Sequence, residues 1–448
     1  MCDILVKNAY VVTMDRVGRV IQDGAIAIEG SRILDVGPSE EIVASYDARE
    51  EIDARDMIAL PGFINAHTHI AMCVIAGMGS ELKDRLYRVY WPMEKAWTPE
   101  DCYKASLMGA TEALLFGSTC IVDHYFFMEE IAKATTELGI RGVLGHTIMT
   151  EDGPWVGREE FEEGVRFVKR WKGKHPLVIP CLAPHAPDTV SPEWLAELRE
   201  ISIEQAVRIH MHLSQSMREV RKVKGPWGRG ARSPVDLLYK LNILGPNLIA
   251  AHCIYVDEHD LELLSKTHTN VVYCPSTYAL GGSYSRASDM IRLGIRVLIG
   301  TDARPADMIS ELRAAAMTQR QLTGDPHSLK ANKLLRMATI DAAKALGLEE
   351  KLGSIEKGKL ADIVLVSMKK PHMNPRFDPL ANLVYNALGS DVDTVIVDGK
   401  IVVRKGSLVK HDMESVINLG REAARSLIFR ATEIDPNLKQ LIKGLRSP

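Results

Sequence analysis

His67 and His69 stand two residues apart at the end of the run Pro61-Gly62-Phe63-Ile64-Asn65-Ala66-His67-Thr68-His69. On a β-strand, residues i and i+2 share a face, so both imidazoles can reach one metal ion. A lone His-x-His pair is weak evidence. Its weight comes from His212, His252 and Asp302, each of which also ends an apolar run further along. Three imidazoles and one carboxylate, from His67, His69, His212 and Asp302, make a ligand set that leaves a position for water. Nitrogen and oxygen donors without a thiolate suit one divalent metal per subunit, with zinc expected and iron the alternative. Such an ion brings the pKa of bound water toward neutrality. Asp302 can take the proton of that water, and His252 can polarise a substrate or hold the hydroxide. A two-metal site would need a bridging carboxylate or a modified lysine. The fourth run ends in Ala183-Pro184-His185, so a single metal is expected.

These residues need elements that bring them together. Eight β-rich runs alternate with helical patterns, the signature of a parallel α/β fold. The runs are 58–69, 118–126, 140–148, 177–185, 206–213, 247–254, 269–277 and 295–303. Helices are expected over 99–116, 128–138, 158–172, 192–204, 235–244, 258–267 and 284–293, two of them opened by Thr98-Pro99 and Ser191-Pro192 caps. A (β/α)8 TIM-like barrel is therefore expected, with a doubly wound open sheet as the runner-up. Phe63, Asn65, His67 and His69 share one face of the first run, and His210 and His212 share one face of the fifth. Leu248, Ala250 and His252 align in the same way, as do Leu298, Gly300 and Asp302. Every candidate ligand thus points inward at the C-terminal end of its strand, where barrel active sites lie.

The flanks differ in texture. Short alternating strands are expected over 3–12, 25–29, 33–36 and 51–53, and again over 361–366, 394–397 and 400–404, with Asp398-Gly399 as a hairpin turn. The chain ends should pair into a small β-sandwich. Residues 1–56 form its first part, 57–356 the barrel, 357–410 the second part and 411–448 a helical tail packed outside. A chain of 448 residues accommodates this division. A net charge of -3 carries no basic footprint for nucleic acid. No apolar run approaches the ~20 residues that cross a bilayer, and Met1-Cys2-Asp3-Ile4 lacks signal-peptide features. Seven cysteines without a Cys-x-x-Cys pair read as reduced, mostly buried thiols of a cytoplasmic protein.

The histidine run, His212, His252 and Gly300-Thr301-Asp302 together resemble the amidohydrolase superfamily. Lys357-Gly358-Lys359-Leu360-Ala361-Asp362 and Val397-Asp398-Gly399 extend that resemblance over nearly the whole chain. It is strongest toward the branch of chlorotriazine hydrolases, guanine deaminase and methylthioadenosine/S-adenosylhomocysteine deaminase. The resemblance implies hydrolytic removal of an amino group from a carbon of a nitrogen heterocycle: a purine, pyrimidine, triazine or related nucleoside. It implies metal ligation by His67, His69, His212 and Asp302, catalysis by His252 and substrate contact by His185. Glu81 matches an acid that meets the ribose, and Arg304 and Asp307 occupy a rim loop within reach of substrate. Tyr87, Trp91 and Trp97 are candidates for an aromatic wall, with core packing the simpler role. The implied partner is a small heterocycle rather than nucleic acid or membrane, and a homo-oligomer is expected.

One position departs from the pattern. Deaminases of this branch carry His-x-x-Glu, whereas this chain reads His212-Leu213-Ser214-Gln215. Glutamine donates a hydrogen bond but cannot transfer a proton, and loss of a general acid costs about 10²–10⁴-fold. Gln215 is thus a catalytic and substrate-binding position restricted to neutral hydrogen bonding. Either His252 and Asp302 carry all proton traffic, or the substrate needs no ring protonation. Hydrolytic dechlorination, or hydrolysis of a cyclic amide, would meet the second condition. A non-catalytic scaffold fits poorly with five intact positions. Glu219 reads as helix surface and His210 as a core or supporting histidine. His124 and His146 end the second and third strands, and each is open to lining the pocket or to a structural role.

Overall fold

Val- and Ile-rich strands alternate with capped helices around one closed barrel. The computed structural model describes residues 1–82, 84–303 and 305–442. The barrel strands are Phe63–Thr68, Ser118–Tyr125, Arg141–Ile148, the pair Val178–Pro180 and Ala183–Pro184, Ile209–Leu213, Leu248–His252, Asn270–Tyr273 and Val297–Ile299. They pair in parallel as two half-barrels. Parallel bridges at Leu182–Ile209 and Thr68–Asp302 close the ring. The second bridge binds the eighth strand end to the first, bringing Asp302 beside His67. Thr98 and Ser191 cap the helices that follow them, accepting from Asp101 N at 3.2 Å and Trp194 N at 3.3 Å. All seven cysteines are unpaired thiols, and all but the half-buried Cys73 are buried.

Two of the expected strands are corrected. The run 58–69 is not one strand. Met57–Pro61 pairs with Cys2–Val12 and Ile363–Ser367 in the terminal sheet, and the barrel begins at Phe63. Pro61 supplies no N–H, and Gly62 passes so near Thr119 that a Cβ would lie 2.1 Å from its methyl. The chain therefore changes sheets there. The fourth strand is broken between Pro180 and Ala183, because two prolines interrupt its ladder.

The chain ends pair into one nine-stranded sheet. It turns back on itself where Ile33 N donates to Lys359 O at 2.9 Å and Gly358 N to Ile33 O at 2.8 Å. Val6, Ile28, Ala59, Ile363 and Ile396 belong to the core enclosed there. Asp398 and Gly399, at φ 51 and 75, make the hairpin turn. A Cβ on Gly399 would meet Gly30 O at 1.9 Å, so glycine is required. The tail forms Met413–Ile434 and Pro436–Ile442. Its longer helix lies on Pro99–Leu115, where Gly420 admits Met108 and Arg430 donates to Ala96 O at 2.9 Å. Among the described residues no helix is long and apolar enough to cross a membrane.

Candidate active site

The ligands gather where strands end. His67 is fully buried on the first strand, and His69 lies just past its end. Ser214, His252 and Asp302 take left-handed backbone at φ 51, 86 and 57. Such conformations are costly outside glycine and concentrate where a site must be shaped. Asp302 Oδ1 lies 3.6 Å from His67 Nε2 and 3.4 Å from His69 Nε2. His212 Nε2 is 3.3 Å from His69 Nε2. The ligand atoms of His67, His69 and His212 all fall within 4.8 Å of one another. Each ring turns Nδ1 away from this cluster: His69 to His124 O, His212 to His185 O at 2.8 Å, and His67 to His210 Nε2 at 2.9 Å. Nδ1 held from behind leaves Nε2 as the atom free to ligate a metal.

His67 Nε2 is buried and makes no hydrogen bond. A buried polar nitrogen without a partner is costly. A divalent cation fits it, because the same point is faced by further imidazoles and a carboxylate. Burial alone would raise the pKa of Asp302, but the facing His67 and His69 rings hold it well below the carboxylate range.

His252 stacks on His212, with ring centroids 5.2 Å apart and planes 8° from parallel. Its Nδ1 lies 3.1 Å from the Tyr278 hydroxyl, which itself donates to Val272 O at 3.4 Å. The hydroxyl has one proton, so His252 Nδ1–H donates to it and Nε2 is left with a lone pair. Burial pushes the His252 pKa down to about 3. It stands as a neutral base.

A cavity of about 610 Å³ opens above these residues. His185, Gln215 and Glu81 line it, with Glu81 at the exposed rim. Arg304 lies outside the described residues. Tyr87 and Trp91 form the aromatic wall, edge to face at 4.8 Å. Trp97 stands behind, donating to the Tyr125 hydroxyl at 2.9 Å. His146 turns to the helix side and pairs with Glu160 at 2.8 Å. Asp307 accepts from Ser310 N at 3.0 Å as a helix cap.

Of three further residues at the site, the sequence reading missed Glu94, left His124 open and misplaced Glu219. Glu94 is buried in the cavity wall beside Tyr125, and burial lifts its carboxyl pKa to about 7. It sits in the single turn Trp91–Glu94, which has no periodicity to betray it. His124 is buried at the cavity floor with neither ring nitrogen paired. Glu219 corrects the reading of a helix surface residue: it is wholly buried. Its two carboxylate oxygens accept from Ser214 N and Gln215 N, each at 2.7 Å. Glu219 thereby holds the turn that presents Gln215. Ser216 caps the same helix through Glu219 N at 3.1 Å, so Ser-x-x-Glu at a helix start was the available signal.

Residues 58–402 match the amidohydrolase family. A 5'-deoxyadenosine deaminase from Methanosarcina acetivorans is 36% identical over 439 residues, covering 96% of this chain and 100% of that one. A 5-methylthioadenosine/S-adenosylhomocysteine deaminase from Moorella thermoacetica is 38% identical over 424 residues, 93% of this chain and 97% of its own. An adenosine deaminase from Xanthomonas campestris, solved with bound zinc, superposes with a TM-score of 0.89 at 28% identity, covering 95% of this chain and 98% of that one. Atrazine chlorohydrolase from Arthrobacter aurescens, solved with zinc, shares the fold at a TM-score of 0.84 and 23% identity, over 94% of this chain and 100% of its own.

Proposed function

Since this chain belongs to the amidohydrolase family, we propose that it is a deaminase of adenine nucleosides that works with one zinc ion per chain. The observation that carries this reading is the convergence of His67, His69, His212 and Asp302 beneath the cavity. Names borne by the relatives, 5'-deoxyadenosine deaminase and 5-methylthioadenosine/S-adenosylhomocysteine deaminase, narrow the heterocycle to adenine. Zinc bound by these four residues supplies activation of a water molecule at neutral pH.

The side chains divide the remaining work. His252 Nε2 accepts a proton from the attacking water, and Asp302 shares that traffic from the opposite side. Gln215 donates its carboxamide N–H to a ring nitrogen, so the ring is held by a neutral hydrogen bond. His185 meets the base from the fourth strand. Tyr87 and Trp91 cover the planar ring and exclude water. Glu94, deeper than Glu81, accepts from the sugar hydroxyls and takes the role that the sequence reading gave to Glu81.

Ammonia release from 5'-deoxyadenosine and 5-methylthioadenosine, measured alongside zinc content, tests the proposal. Turnover that rises with zinc occupancy supports it, and no release at one zinc per chain refutes it. Gln215 favours one second reading, hydrolysis of a ring bearing a better leaving group than ammonia. Halide release from a chlorinated triazine, with none of the nucleosides turned over, would establish that reading instead.

A further inference from the structure

The three imidazoles that converge with Asp302 are steered in two ways. His69 and His212 each turn Nδ1 to a backbone carbonyl, of His124 and His185 respectively. His67 alone turns Nδ1 to another imidazole, His210 Nε2, 2.9 Å away. Proton positions follow from this contact. With Nε2 aimed into the ligand cluster as a lone pair, His67 carries its proton on Nδ1 and donates it, so His210 Nε2 accepts. A neutral His210 then keeps its own proton on Nδ1. That N–H is buried and has no partner among the described residues.

The His124 ring lies beside the His210 ring. The two centroids are 5.5 Å apart with planes at 71°, and both His124 nitrogens are buried and unpartnered. His124 is only 1% exposed and His210 0%. A buried donor beside a ring that offers a lone pair is a complementary set of the kind that a buried water can bridge. The deamination roles assigned above use neither ring.

We propose that His210 and His124 form an imidazole relay behind His67, in which His210 Nδ1–H donates to His124 through one bridging water. The relay fixes the tautomer in which His67 offers Nε2 to the metal, and so it rests on the metal reading above. His124 then serves two ligands, His69 through its carbonyl oxygen and His67 through its ring. It is a positioning residue. Outer partners of this kind contribute about 10–100-fold in metal affinity.

Chelator competition on the full chain measures the effect without relying on turnover. His124→Phe removes the ring nitrogens and keeps the carbonyl that holds His69. It should weaken zinc about tenfold and shift the visible absorption of the cobalt(II)-substituted protein. His124→Gln retains an acceptor and should recover most of the affinity and the spectrum. If the phenylalanine variant does not fold, His124→Leu replaces it in the same comparison. Wild-type affinity and spectrum in the nitrogen-free variant overturn the relay. Equal weakening in the glutamine variant also overturns it, because packing would then be the cause. A wild-type chain that takes up no divalent metal overturns the metal reading, and the relay with it.

Discussion

The two ends of the barrel bury polar side chains under opposite rules. At the end facing the terminal sheet, Arg141 opens the third strand and meets Asp362 through two contacts of 3.1 Å. Asp398 lies 3.3 Å away and Pro176 O accepts at 2.8 Å. Asp362 is answered in turn by Asp398 N at 2.8 Å. At the opposite end, seven imidazoles crowd into one cluster that reaches Asp302, yet among the described residues His67 Nε2 and both His124 nitrogens have no hydrogen-bond partner. A closed polar cluster locks one structure, whereas an open one is shaped for something the chain does not itself supply. Stability resides at one end of a barrel and chemistry at the other.

The sharpest contrast is within the open end. His67→Ala should abolish turnover and strip the metal. His252→Ala should keep the metal and lose about 10²–10⁴-fold in kcat. Metal analysis beside the rate checks both, and equal metal loss in the two variants would erase the division between ligand and base.

The closed end should respond in stability alone. Arg141→Ala leaves two carboxylates facing a void and should cost about 3–5 kcal/mol. Urea unfolding measures this, with kcat per folded molecule within about twofold of wild type, the range allowed when sites far apart act independently. A large fall in kcat with stability intact would show that the two ends are not separate.

Glu94 lies between these extremes, a buried acid with no ion pair among the described residues. Its folded pKa of about 7 exceeds the ordinary 4.5, so the folded chain binds the proton more tightly than the unfolded one. Glu94 therefore costs nothing well below pH 4.5. Its cost grows as pH rises toward about 7 and is constant above that. Glu94→Gln should match wild-type stability at pH 4 and exceed it by up to about 3 kcal/mol at pH 8. A gap that does not change with pH would remove this assignment.

Gln215→Glu should have the smallest effect. A carboxylate there adds negative charge near Asp302 and disfavours ionisation of nearby water. Deamination should fall several-fold, a change of about 1 kcal/mol in barrier. A large gain in ammonia release would instead show that the site lacks a proton donor it could use.

Residues on regular elements were legible from their spacing, and residues acting through loops were not. His67, His212, His252 and Asp302 could be read because strand parity and strand ends are periodic properties of the chain. Glu94 was hidden in one turn of helix, and Glu219 resembled any acid at a helix start until its carboxylate was seen reaching back to Ser214 and Gln215. Arg141 and Asp362 are 221 residues apart, and nothing in either neighbourhood marks the other. The split at Pro61-Gly62 carried its own signal, a proline and a glycine inside an apolar run, but alternation continues across it.

Metal removal and return tests the central claim most directly. Protein dialysed against a chelator should lose ammonia release from 5'-deoxyadenosine, and added zinc should restore it in proportion to occupancy up to one ion per chain. Full activity in the metal-free protein would contradict the site as described.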